Sequence, residues 1–231
     1  MTRYFMRDTP LRYLEQEMMT PPHFKPRGHG LYRRDFRYRP RDVECQFCVS
    51  FARSSRCPLN CCPYLAERME AGVLGLSELM QDCFSTWKYP RLQGRLRKLF
   101  CQRPASLFLN DAHRNRWQHW HERYHRMTDR NQAALYLLTA YEDIWRRMIW
   151  HFDEGGFNFN TIRLSGIHPE QYSVYQAAKA ISIGSHNITL NDLASPELVT
   201  DEALQLIIYA LLLARYGDVI LNLERKTGDH S

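Results

Sequence analysis

Apolar residues recur along most of this chain every three or four positions, the spacing that gathers them on one side of a helix. Leu11, Tyr13, Leu14 and Met18 make a short early stretch of this kind after Thr9-Pro10, and Pro21-Pro22 stops it. Residues 21–44 lose the pattern, because Pro21, Pro22, Pro26, Gly28, Gly30 and Pro40 admit no long regular element. Periodicity resumes at Leu65 and Met69 and ends at Gly72. It returns from Leu74 to Phe84, with Leu76, Leu79, Met80 and Phe84 on one face. A further helix is predicted from Arg91 to Phe100, with Leu92, Leu96 and Leu99 as its apolar side, and Pro104 closes the region.

Beyond the short apolar run Leu107-Phe108-Leu109, Asn110 or Asp111 can cap a helix whose stripe is Trp117, Trp120, Tyr124 and Met127. Thr128 or Asp129 starts the next, with Ala133, Ala134, Leu137, Leu138 and Tyr141 as apolar positions. Asp143 is placed to cap another turn through Ile144, Trp145, Met148 and Ile149. Asp153-Glu154-Gly155-Gly156 reads as a turn, followed by an extended or irregular segment marked by Phe157, Phe159, Ile162 and Leu164. Pro169 leads a helix through Tyr172, Tyr175, Ala178 and Ile181 to Gly184. Ile188 and Leu190 alternate with polar residues, which suggests a strand-like turn. Ser195-Pro196-Glu197 has the signals of a helix start, and Thr200-Asp201-Glu202 opens a long helix bearing Leu204, Ile207, Ile208, Leu211 and Leu212. That helix is apolar on its other side too, so it is expected at the centre of the core, and Gly217 closes it.

The expected fold is therefore mainly α: a small Cys-rich, zinc-knuckle-like module followed by a helical domain with at most a few short strands. Four segments are expected. They are an N-terminal helix and basic arm (1–44), a Cys-rich metal-binding module with helices (45–105), a helical domain (106–220) and a polar tail (221–231). A length of 231 residues and 44% hydrophobic content suffice for a real core, and 13% aromatic residues make much of it aromatic. The most apolar run, Ala203 to Ala214, is too short to span a bilayer, and the first residues have no signal-peptide core. A soluble, cytoplasmic protein with no membrane partner is expected.

Charge divides the chain. Residues 1–150 hold 26 Lys+Arg against 15 Asp+Glu, net +11, and residues 151–231 hold 5 against 10, net −5. The basic half is mostly arginine, whose flat bidentate fork fits phosphate or carboxylate, so an anionic partner is expected. Two stretches concentrate the charge. In Tyr32-Arg33-Arg34-Asp35-Phe36-Arg37-Tyr38-Arg39-Pro40-Arg41, aromatics interleave with arginines, a pattern that can contact phosphates and stack on bases. The same residues can also form a solvated linker whose aromatics fold back on the body. In the helix from Arg91 to Phe100, Arg91, Arg95, Arg97 and Lys98 occur with no acid, giving either a nucleic-acid face or a surface helix packed by its leucines.

Two constellations suit metal. Cys45, Cys48, Cys57, Cys61 and Cys62 form C-x2-C, eight residues, then C-x3-C-C. Two short thiolate hooks can close a tetrahedron around a structural zinc, with Cys61 or Cys62 as the fourth ligand. Arg53, Arg56 and Arg68 nearby would offset the thiolate charge. Unliganded buried cysteines, or an iron–sulfur cluster, are the other readings of the cluster. His121-Glu122-Arg123-Tyr124-His125 matches H-E-x-x-H, in which two histidines hold zinc and Glu122 activates water. Against this, Arg123 puts a charge inside the motif, the region is rich in histidine, and no third ligand stands at a recognisable spacing. Gly155-Gly156 resembles neither a phosphate loop nor a dinucleotide fingerprint.

The cluster Cys45–Cys62 followed by Pro63-Tyr64-Leu65-Ala66-Glu67-Arg68, together with Leu107-Phe108-Leu109-Asn110-Asp111-Ala112-His113, Ala134-Leu135-Tyr136-Leu137-Leu138-Thr139-Ala140 and Ile188-Thr189-Leu190-Asn191-Asp192-Leu193, resembles an uncharacterised protein family of conjugative elements and prophages of Gram-positive gut bacteria. The resemblance runs from about residue 45 to 217. It implies an accessory protein of a mobile genetic element, with no activity to transfer, and the H-E-x-x-H feature does not belong to its pattern.

Three functions are thereby expected, in order. The first is a non-enzymatic, zinc-stabilised protein binding nucleic acid or a nucleic-acid-bound complex through the arginine-rich half. The second is an anti-CRISPR-like inhibitor of a host defence nuclease, acting by protein contact. The third is a zinc hydrolase using His121, Glu122 and His125.

Overall fold

The computed structural model describes residues 9–14, 38–47, 59, 62, 64–101, 106–124, 127–153 and 156–226. The fold is mainly helical, and among the described residues the strands are one two-residue antiparallel pair, β1 (Phe152–Asp153) and β2 (Gly156–Phe157), in which Phe152 faces Phe157. The chain forms two compact units, Met1–Cys83 and Phe84–Ser231.

In the first unit, Thr9 starts a single helical turn at 12–14, accepting the amide of Leu11 on its hydroxyl. The segment expected to be extended contains a 3-10 turn at Pro40–Asp42, closed where the carboxylate of buried Asp42 accepts the Arg39 amide at 3.0 Å. Tyr38 and Val43, on either side of that turn, are buried with Ala71, and Tyr64 and Val73 pack against them. Tyr38 thus folds back on its unit, whereas Arg39 and Arg41 stay exposed. Helix α1 (Leu65–Ala71) stops at Gly72, which adopts φ 73°, a left-handed conformation that costs glycine little. Helix α2 (Leu76–Phe84) buries Leu79, Cys83 and Phe84.

The second unit begins with α3 (Pro90–Cys101), α4 (Asp111–Arg123), α5 (Asp129–Ala140) and α6 (Glu142–Met148). After the β pair come α7 (Pro169–Ile183), α8 (Leu190–Ala194) and α9 (Asp201–Tyr216), then 3-10 turns over Asp218–Lys226. Local signals set most starts. Asn110, Thr128, Thr189 and Thr200 each accept a backbone amide of the following first turn on a side-chain oxygen. Helix α5 packs against both α7 and α9, which also meet each other, with α4 and α6 beside it. Every residue of α5 from Gln132 to Ala140 is buried. The centre of the core is therefore shared by α5 and α9, because the small Ala133, Ala134 and Ala140 let neighbours approach α5 from all sides.

Aromatic rings join the elements around this core. Trp120 of α4 meets Trp145 of α6 at 5.3 Å, Phe152 stacks on Phe157 at 4.5 Å, and Phe159 meets Tyr175 of α7 at 5.6 Å. The β pair is held by this packing, since two strands of two residues could not stand alone.

Three local expectations are corrected. In place of a strand-like turn at Ile188 and Leu190, a helix begins at Leu190. Thr189 accepts the Asp192 amide while the Asp192 carboxylate accepts the Thr189 amide at 2.8 Å, and this reciprocal cap starts α8. Ser195-Pro196-Glu197 opens only one turn, with the amides of Leu198 and Val199 returning to the Ser195 carbonyl before Thr200 restarts the helix. Asp143 does not cap α6; it lies inside the first turn, and Tyr141 holds the cap position. The division between the two units falls before α3, and Arg95 ties that helix to residues of the second unit.

Candidate nucleic-acid interface and metal-ligating residues

Helix α3 is built on Leu92 and Leu96, both buried. Arg95 sits at the edge of that apolar face and reaches inward. Its Nη1 donates to the Leu193 carbonyl at 2.8 Å, its Nη2 donates to the Val199 carbonyl, and Nε and Nη2 donate to Asp201 Oδ1 at 2.9 and 2.8 Å. The Arg95 side chain is only 9% exposed, against 66% for Asp201. Two backbone carbonyls that α8 and the turn after it leave open are thus satisfied by one buried guanidinium. Arg95 is committed to tertiary structure.

Arg91, Arg97 and Lys98 remain exposed. Arg91 and Lys98, two turns apart, lie along one line of the helix, Arg97 is exposed roughly 100° round from them, and no acid occurs in Pro90–Cys101. In the first unit, Arg39 and Arg41 are exposed, and Arg33, Arg34 and Arg37 lie outside the described residues. Of the cysteine cluster, Cys45 and Cys62 are half-buried members of the first unit, while Cys48, Cys57 and Cys61 lie outside the described residues. Among the described residues, no group of three or more His, Cys, Asp or Glu side chains is arranged to hold a metal ion.

The histidines of α4 have separate environments. His113 is fully buried. The Leu109 amide donates to its Nδ1 at 3.1 Å, so Nε2 carries the proton and donates to the Tyr136 carbonyl at 2.8 Å. Burial lowers its pKa to about 3, against the Tyr136 bond, which favours the charged form. One turn on, Arg116 donates from Nε to the Thr139 carbonyl at 2.8 Å and from Nη2 to the Ala140 carbonyl at 3.1 Å. These bonds cap the C-terminus of α5, where a cation also meets the negative end of the helix dipole. His113 and Arg116 are therefore structural fasteners between α4 and α5.

His121 lies flat on Trp117, centroids 4.3 Å apart and planes at 15°, and its Nε2 is 3.8 Å from Asp218 Oδ2. Its Nδ1 is buried and has no hydrogen-bond partner among the described residues. Burial lowers its pKa despite the nearby Asp218 and Glu122 carboxylates. Glu122 is exposed, and His125 lies outside the described residues.

Two features have no counterpart in the sequence reading. One is an apolar recess of about 410 Å³ lined by Trp87, Ile181, Leu193, Ile207 and Leu211, with His186 and Thr189 as its polar members. The other is Trp150, 86% exposed at the end of α6. A tryptophan out of phase with Ile144, Trp145 and Met148, just after Arg146-Arg147, was the available signal for it.

Compared with known proteins, the chain matches no family model, no curated protein and no solved structure. No helix among the described residues is long and apolar enough to cross a membrane.

Proposed function

We propose that this chain is a non-enzymatic accessory protein that binds nucleic acid, or a complex containing it, through its basic half. The observation that carries the reading is the α3 surface, where Arg91, Arg97 and Lys98 stand exposed without an acid on the helix. Such a face attracts phosphate by charge and releases condensed counterions on binding. Exposed Arg39 and Arg41 extend the same chemistry in the first unit.

Structural zinc belongs to the proposal. Cys45, Cys48 and Cys57, with Cys61 or Cys62, would hold it. A closed four-thiolate site fixes a fold and leaves no open position for chemistry. Cys45 and Cys62, both half-buried, suit that role in donor type and burial. The mobile-element context rests on the sequence resemblance. The non-enzymatic reading is favoured over a hydrolase by His121, whose ring is packed on Trp117 and whose Nε2 faces Asp218.

Two measurements test the proposal. Purified protein should bind a labelled oligonucleotide with an affinity that falls steeply as salt rises, and no binding at low salt would refute it. Zinc content should be one ion per chain and should vanish in a Cys45→Ser/Cys48→Ser variant; retention of zinc in that variant would remove the thiolate site.

A further inference from the structure

We infer that the surface around Trp150 is a stacking site for an unpaired base of single-stranded nucleic acid. The inference rests on the nucleic-acid reading above and adds a site outside the two basic stretches.

Trp150 is 86% exposed, the most exposed of the large apolar side chains described. Leaving an indole in water forgoes burial that this fold gives to Trp117 and Trp145. Position 150 lies in the single 3-10 turn Ile149–His151 that continues α6. Arg146 and Arg147 precede it by four and three residues, so all three belong to one side of that continuous helical path.

The neighbouring chain is held alongside. Arg147 Nη1 donates to the carbonyls of Arg163 and Ser165 at 3.3 and 2.9 Å, and the Thr161 hydroxyl bonds His151 Nδ1 at 2.7 Å. The Asn158 amide donates to the His151 carbonyl at 2.9 Å. These bonds bring the exposed residues Asn158, Asn160, Thr161 and Arg163 beside the end of α6. The platform is anchored beneath by Trp145 and Met148, both buried. An exposed indole on a turn held by these bonds, with Arg146 one helical turn before it and short hydrogen-bonding side chains on the adjacent chain, is an arrangement that can stack a base and meet its backbone.

A protein partner is the weaker fit. An interface core needs several apolar side chains together, and the exposed residues that the chain places near Trp150 are polar or charged, Asp143 and Glu142 among them. Duplex nucleic acid is also a weaker fit, since its bases are already stacked on one another and inserting an indole costs roughly a few kcal/mol of unstacking per step. Arg146 is not withdrawn by its exposed ion pair with Glu142, which water and salt weaken.

The test is fluorescence anisotropy with a labelled oligo-dT strand and with a duplex of equal length, for wild type, Trp150→Ala and Trp150→Phe. Light scattering and circular dichroism on each protein report its size and fold. We expect Trp150→Ala to weaken binding to the single strand about tenfold with little effect on the duplex, and Trp150→Phe to retain most of the affinity. The salt dependence should be the same in all three, because no phosphate contact is removed. Unchanged single-strand affinity in Trp150→Ala, with wild type still binding, overturns the stacking site and leaves the basic-face proposal standing. The same holds if Trp150→Ala instead dissolves a dimer. Absence of binding by wild type overturns both.

Discussion

Acid acts on the second unit through His113. The imidazole is buried, accepts from the Leu109 amide and donates to the Tyr136 carbonyl, so its neutral form is the one that fits. Its pKa is about 3 in the folded chain against an ordinary value of 6.5. Between those values the unfolded chain holds one more proton than the folded chain, so unfolding becomes easier as pH falls. The stability is complete above the ordinary value and is lost progressively down to the folded one. From pH 7 to pH 5 the loss is about 2 kcal/mol, and over the whole interval about 5 kcal/mol, using about 1.4 kcal/mol per pH unit. Either is a large share of the total for a domain stable by about 5–15 kcal/mol.

The assay is urea unfolding followed by circular dichroism at pH 7, 6 and 5, for wild type and His113→Gln. Gln keeps a donor and an acceptor but does not titrate. It should be less stable at neutral pH, through imperfect geometry, and should lose about 2 kcal/mol less than wild type on going to pH 5. His121, lowered in the same direction, is present in both proteins and cancels. Parallel pH curves would refute the reasoning. If the variant does not fold, NMR of the His113 ring decides, because protonation of that ring above about pH 5 contradicts a buried neutral imidazole.

Two other perturbations have predictable sizes. Arg95→Met should destabilise by about 2–3 kcal/mol because it strips the Leu193 and Val199 carbonyls of their donor, whereas Asp201→Asn should cost less than about 1 kcal/mol, its side chain being mostly exposed; equal losses in thermal or urea unfolding would contradict this. Gly156→Ala should cost about 1–3 kcal/mol, since φ is 124° and an added Cβ would lie 2.7 Å from Asn131 Nδ2, disturbing the amide whose oxygen accepts from Ser182; an unchanged melting temperature would contradict it.

Most helix ends were legible because their causes are local. Asn110, Thr128 and Thr200 cap, Pro169 leads, and Gly72, Gly184 and Gly217 stop helices within one turn of the residue responsible. The Thr189–Asp192 cap is just as local, and alternation at Ile188 and Leu190 concealed it. Other misread positions have causes farther away. The Ser195 turn ends because Val199 is buried and its carbonyl is taken by Arg95, 104 residues earlier in the chain. The direction of Arg95 itself was hidden for the same reason: its phase sets it nearer the leucines than Arg91 or Lys98, but the carbonyls that hold it, Leu193 and Val199, come from a distant part of the chain. His113 reads as one histidine among several on α4, and only the arrival of the Tyr136 carbonyl from α5 makes it a core residue. The candidate interface was legible in its charge and not in which charges remain available.

The central claim is that Arg91, Arg97 and Lys98 meet phosphates. It is tested most directly by the slope of log Kobs against log salt for a single-stranded oligonucleotide, measured on wild type and on the Arg91→Gln/Arg97→Gln/Lys98→Gln variant. Three lost phosphate contacts should make the slope shallower by about 2, with weaker binding at every salt concentration and unchanged thermal stability. Identical slopes in the two proteins would contradict the claim.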